Sequence, residues 1–104
     1  MVGLDNLYTG NLRNLDRIVN TPKFTFVEQD VTKKIDRDYE GIFDLACPAS
    51  PVHYQQNPIE TVCTNVLGSI NLLEIAHAQK IPILQASTSE VFGDPMASPQ
   101  AETY

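Results

Sequence analysis

Tryptophan is absent from this chain of 104 residues, and cysteine, histidine and methionine occur only twice each. The cysteines, Cys47 and Cys63, have no CxxC spacing and no His or Cys partners at zinc-finger intervals, so no metal site is expected. Both sit among apolar residues and read as buried free thiols of a reducing compartment. His53 and His77 lack paired ligand spacing and read as surface or packing residues. Basic residues are scarce too: seven Lys and Arg stand against thirteen Asp and Glu, a formal net charge of −6. They are scattered singly or as the pair Lys33-Lys34, so no basic stripe could track a nucleic-acid backbone. No apolar run approaches the roughly 18 residues that cross a bilayer. The N-terminus does not show the basic-then-apolar pattern of a secretory signal. The chain therefore reads as soluble and cytoplasmic, with neither nucleic acid nor membrane as partner. Repeats, low-complexity tracts and composition shifts are missing as well, so residues 1–104 read as one domain without an internal linker.

What is present alternates strand with helix. Met1-Val2-Gly3-Leu4, followed by Asp5-Asn6, suits the end of a buried strand. Leu12, Leu15, Ile18 and Val19 fit a short amphipathic helix, stopped at Asn20-Thr21-Pro22. Phe24 to Glu28 is rich in β-branched and aromatic residues and predicts a strand ending near Asp30. Thr32 to Glu40 is charged and without period, a surface crossing. Ile42 to Ala46 predicts another strand, broken by Pro48-Ala49-Ser50-Pro51. Pro58 suits a first helical turn, and Ile59, Val62, Cys63, Val66, Leu67, Ile70 and Leu73 form a wide stripe that carries a helix to about Ala78. Pro82 to Ala86 predicts a last strand, and Ser87 to Tyr104 a polar loop. The order β-α-β-β-α-β implies an α/β fold with a mainly parallel, doubly wound sheet.

Two clusters carry candidate chemistry. Asp5 stands at a strand tip, where a carboxylate can accept from a ribose 2′-hydroxyl and repel a 2′-phosphate. The same residue is equally an ordinary turn former, and Asp30, after the next strand, carries the same ambiguity. Thr88-Ser89-Glu90 follows a buried strand directly, at the sheet end where open α/β folds bind ligands. A hydroxyl there can bond a substrate hydroxyl and a carboxylate can act as base or orient a sugar; capping the loop backbone is the plain alternative.

Five segments in register carry a resemblance: Leu4 to Gly10, Gln29 to Thr32, Leu45 to Pro51, Thr64 to Ser69, and Ser87 to Pro95. Together they resemble the extended short-chain dehydrogenase/reductases, and within them the UDP-glucuronate decarboxylases. The resemblance implies NAD as cofactor. It places Asp5 and Asn6 on the adenosine ribose with Leu7, Tyr8, Thr9 and Gly10 on the same loop, and Asp30 and Val31 beside the adenine. Leu45, Cys47, Thr64 and Ala86 would lie along the dinucleotide, and Tyr54 and Asn71 would approach a nucleotide-sugar. Thr88 matches the hydroxyl that assists the family's Tyr-Lys pair, and Glu90 its active-site carboxylate. The implied reaction oxidises C4 of the sugar, lets the resulting β-keto acid lose CO₂, and returns hydride to C4, giving UDP-xylose. Full-length members are expected to be homodimers.

Ser89 separates branches of that family. Nucleotide-sugar 4,6-dehydratases carry an aspartic acid there to protonate the departing hydroxyl, and serine is a poor acid at neutral pH. This favours decarboxylation over a dTDP-glucose 4,6-dehydratase; a 4-epimerase, or a non-catalytic nucleotide- or partner-binding module, remains the alternative. Cys63 stands where the family pattern has lysine, His77 and Ala78 where it has basic residues, and Phe92 where it has tyrosine. The resemblance further implies that the chain is an internal piece, a partial Rossmann-type domain lacking the first strand and its Gly-rich loop, with Tyr104 too near Thr88 to be the catalytic tyrosine. In a sheet ordered 3-2-1-4-5 that predicts two unlinked ribbons with open edges.

Overall fold

A computed structural model describes residues 1–103; Tyr104 lies outside the described residues. Strand β1, Val2–Asp5, pairs in parallel with β2, Thr25–Glu28, Val2 opposite Thr25 and Asp5 opposite Glu28. Backbone bonds from Thr25 N to Met1 O and from Gln29 N to Asp5 O, both 3.0 Å, extend the ladder at either end. Strand β3, Ile42–Asp44, pairs in parallel with β4, Ile83–Gln85. The two pairs form separate sheets, as the strand order predicts.

The segment after β1 departs from expectation. Only Leu12–Leu15 is helical, as a 3-10 turn capped by Asn11, whose side chain accepts from Arg13 N at 3.0 Å. Turn bonds then carry the chain on, Ile18 N to Leu15 O and Thr21 N to Ile18 O, and the Thr21 hydroxyl takes the Ile18 carbonyl as well. Asn14, Asp16 and Asn20 offer local side-chain alternatives to helical bonding, and so short a segment cannot offset helix nucleation.

The proline-rich run is likewise not only a break. Helix α1, Pro51–Gln56, begins at Pro51, and the Ser50 carbonyl accepts from His53 N and Tyr54 N at 2.9 and 3.0 Å. Proline at the first helical position has no N–H to leave unsatisfied. Asn57, at φ −128° and ψ 71°, separates α1 from the long helix, which Pro58 opens as expected. That helix runs as α2, Pro58–Cys63, a π turn over Thr64–Gly68, and α3, Ser69–Gln79. Lys80 closes it in the left-handed region at φ 56°, and Ile81 N returns to Ala76 O at 3.0 Å.

The buried face of this helix is not the expected stripe. Ile59, Val62, Val66, Leu67, Ile70 and Leu73 are all exposed, while Gly68, Leu72 and Ala76, spaced by four, are buried. Small residues win because the helix lies close on the loop after β2: a Cβ at Gly68 would sit 2.6 Å from Val31 Cγ1. Among the described residues Leu72, Ala76 and Val31 are the buried apolar side chains, a small core. The cysteines are not buried either; Cys47 is exposed and Cys63 half-buried. The Cα radius of gyration is 15.7 Å, against about 13 Å for a compact domain of this length. The accessible surface is 8320 Å², against about 5,800 Å² for a closed monomer of this mass. The two ribbons are thus held open, with the long helix packed between them.

Candidate functional site

Strand ends and the loops that leave them carry most candidate residues, while Tyr54, Thr64 and Asn71 lie on the helical segments. After β1 the chain turns sharply: Leu7 is left-handed at φ 58°, and its N–H donates to Asp5 Oδ1 at 2.6 Å. Asp5 is exposed, and among the described residues its Oδ2 takes no hydrogen bond, so it is left as an acceptor. Gly10 returns against this carboxylate, where a Cβ would come 2.9 Å from Oδ1. Thr9 is exposed beside it.

Asn6 and Asp30 meet across the two loops. Asn6 Nδ2 donates to Asp30 Oδ2 at 2.9 Å, and Asn6 Oδ1 accepts from Tyr8 N at 3.0 Å. Asp30 Oδ1 accepts from both the Thr32 hydroxyl and the Thr32 N–H, at 2.7 and 2.8 Å. Those bonds, the Thr32 hydroxyl foremost and the Asn6 amide after the backbone, hold the Asp30 carboxyl below its ordinary value; Lys33 adds to this and burial opposes it. Asp30 is therefore a charged knot that fixes the loops after β1 and β2 together.

Tyr8 reaches the other half of the molecule. Its hydroxyl accepts from Asn57 Nδ2 at 3.3 Å, and its ring meets His53 edge-on at 6.5 Å. Val31 is buried, and its carbonyl accepts from Asn71 Nδ2 at 2.9 Å, so Asn71 braces α3 against this loop. Tyr54 is half-buried in α1, its carbonyl taken by Thr61 Oγ1 at 3.2 Å.

At the ends of β3 and β4 stand Leu45, Cys47, Ala86 and Thr88. Leu45 and Ala86 are exposed, and Ala86 N donates to Asp44 O at 2.9 Å. Cys47 Sγ accepts from Asn65 Nδ2 at 3.1 Å, which ties the exposed thiol to the π turn that also carries Thr64. Thr88 caps a 3-10 turn, Ser89–Phe92, its hydroxyl oxygen accepting from Glu90 N at 3.3 Å. Ser89 and Glu90 open onto a shallow hollow of about 640 Å³ shared with Gly93, Asp94 and Pro95. The Thr88 hydroxyl keeps its proton to donate, and the Glu90 carboxylate is open to a ligand hydroxyl. Among the described residues no group of three His, Cys, Asp or Glu could hold a metal ion, and no helix is long and apolar enough to cross a membrane.

The structure thus groups Asp5, Asn6, Tyr8, Gly10 and Asp30 at one ribbon, and Leu45, Cys47, Ala86 and Thr88 at the other. Sequence reasoning passed over Asn57 and gave His53 and Asn65 no site role, yet Asn57 and His53 meet Tyr8 and Asn65 meets Cys47. Asn57 had one local signal, its place before Pro58; the partners of the other two lie across the fold.

The chain matches the family described as GDP-mannose 4,6 dehydratase over residues 1–104. It is 44% identical over 104 residues to UDP-glucuronic acid decarboxylase 1 of Arabidopsis thaliana, covering all of this chain and 24% of that protein. It is 43% identical over 104 residues to UDP-glucuronic acid decarboxylase 3 of the same plant, covering 30% of it. It is 41% identical over 101 residues to UDP-glucuronic acid decarboxylase 1 of Xenopus tropicalis, covering 97% of this chain and 24% of that protein. The chain spans about a quarter of the length of the curated relatives it matches. Its match from the first residue to the last, on an α/β arrangement of parallel strand pairs, makes this chain a member of the GDP-mannose 4,6 dehydratase family.

Proposed function

We propose that this chain supplies the adenosine-binding loops and the threonine–glutamate segment of an NAD-dependent nucleotide-sugar decarboxylase acting on UDP-glucuronate. The observation that carries this is identity of 41–44% with UDP-glucuronic acid decarboxylases over all or nearly all of the chain. The geometry fits such a cofactor: Asp5 Oδ2 can accept from a ribose hydroxyl, and Gly10 brings no side chain against the carboxylate. A 2′-phosphate at the same place would meet that carboxylate, which favours NAD over NADP. Asn6 and Asp30 join the loops beside Asp5, and in this reading Leu45, Cys47, Thr64 and Ala86 lie along the dinucleotide toward Thr88. When bound there, the dinucleotide supplies the hydride acceptor and donor.

Thr88 donates to the oxygen at the sugar C4, Glu90 orients the ring through its hydroxyls, and Tyr54 and Asn71 flank the nucleotide-sugar. Ser89 offers no acid to a leaving hydroxide, which suits decarboxylation and not dehydration. The assembled enzyme works in the cytoplasm as a homodimer, for which the exposed stripe Ile59, Val62, Val66, Ile70 and Leu73 supplies an apolar contact.

Isothermal calorimetry on the purified chain tests the cofactor reading. Saturable binding of NAD with NADP weaker by at least about tenfold supports it, a difference of roughly 1.4 kcal/mol. Equal affinity for the two, or binding of neither, removes it.

A further inference from the structure

The buried charged residue among those described is Asp44, 7% exposed at the end of β3. A carboxylate is a costly occupant of a parallel strand, where Val or Ile would normally stand, unless its bonds serve the site. Its main-chain and side-chain oxygens reach three elements. The carbonyl accepts from Ala86 N at 2.9 Å. Oδ1 accepts from Ala46 N at 3.2 Å, pinning the turn that bears Leu45 and Cys47. Oδ2 faces the Ser69 hydroxyl at 3.5 Å, and that hydroxyl accepts from Gln85 Nε2 at 2.6 Å, three residues before Thr88.

We propose that Asp44 is a positioning residue for the dinucleotide, setting the turn at 45–47 against the strand that leads to Thr88 through Ser69 and Gln85. The inference rests on the cofactor reading above for its function, but its geometry can be tested without the cofactor. Two contacts hold the plane of the carboxylate, one from Ala46 N and one from Ser69. Removing the Ser69 donor lets the carboxylate rotate about χ2, so Ala46 N–H loses a fixed acceptor and Cys47 loosens with it.

Cys47 and Cys63 make the test internal to the chain, one thiol on the pinned turn and one on the helix. Their iodoacetamide alkylation rates are measured separately by mass spectrometry in the wild-type chain, Asp44→Ala and Ser69→Ala. Ser69→Ala places a strong helix former in a helix and keeps the buried acid, so it preserves the fold. The expected result is Cys47 alkylated about three- to tenfold faster in both variants, what one lost hydrogen bond is worth. Cys63 should react at its wild-type rate in Ser69→Ala. An unchanged Cys47 rate in Ser69→Ala, or equal acceleration of both thiols there, overturns the proposal whatever Asp44→Ala does. NAD added to the wild-type chain reports separately: slower Cys47 alkylation supports the cofactor reading, and an unaltered rate removes that reading while the Asp44 comparison stands.

Discussion

Asn6 donates to Asp30 across 2.9 Å, joining loops that lie 24 residues apart in sequence. The bond converts two strand ends into one rim and leaves neither side chain free to swing. Asp30 also takes two donors from Thr32, and these bonds hold its carboxyl below the ordinary value.

That lowered value makes stability depend on pH with a definite sign. The folded-state pKa of Asp30 lies below its ordinary 3.8. Its contribution is therefore fully present above about 3.8 and is lost as pH falls through the folded-state value. Asp30→Asn should lower stability by roughly 1 kcal/mol at pH 7, the net worth of a hydrogen bond to a partly solvated group. The gap between variant and wild type should close in acid. Urea unfolding of both proteins at pH 7 and pH 2.5 checks this, and a gap that widens in acid contradicts it.

Gly68 is a packing constraint with a measurable cost. A methyl at this position would overlap Val31 Cγ1, 2.6 Å away, in the small buried core. Gly68→Ala gains helix propensity but overpacks, and a net loss of about 1–2 kcal/mol is expected. Gly68→Ala combined with Val31→Ala should recover part of that loss. Chemical denaturation of the single and double variants decides it.

Asp5 should set cofactor preference. Asp5→Ser keeps an acceptor for Leu7 N and removes the negative charge. NAD affinity should fall about threefold to tenfold, and discrimination against NADP should shrink by at least as much. Calorimetry with both dinucleotides measures the ratio; an unchanged ratio would mean that the ribose sits elsewhere.

Gln79 spans two backbone groups of the charged crossing, accepting from Tyr39 N at 2.8 Å and donating to Arg37 O at 2.7 Å. Gln79→Ala should speed hydrogen exchange at the Tyr39 amide roughly tenfold. The amides of the β1–β2 ladder should be unaffected. Residue-resolved exchange by NMR tests both statements.

The sequence made some of this legible and hid the rest for physical reasons. Pro58 and the periodic stripe located the long helix almost to its last residue, because both signals are local. The stripe did not reveal which side faces inward. Burial followed close approach to Val31, which favours Gly68, Leu72 and Ala76, and that approach depends on a residue 37 positions away. Leu12 to Val19 carried a helical period but too short a span and too many competing side chains to become a helix. The strands were legible from β-branched and aromatic content, and their division into two pairs followed from topology. Asp5 and the Thr88 segment could be singled out by their place after strands. Asp44 could not, since its partner Ser69, and the Gln85 that donates to Ser69, come from other elements.

Asn71 and Gln79, eight residues apart on α3, both grip the chain between β2 and β3. At 1.5 Å rise per residue their attachments are about 12 Å apart along the helix axis. Two points on a line block sliding and tilting but permit swivel about that line. The swivel left open by the two amides is met elsewhere, by Tyr8 on Asn57 and by Val31 against Gly68. Four attachments off a common line thus fix the adenosine rim relative to the helix, so a single substitution among them should loosen that placement without releasing it.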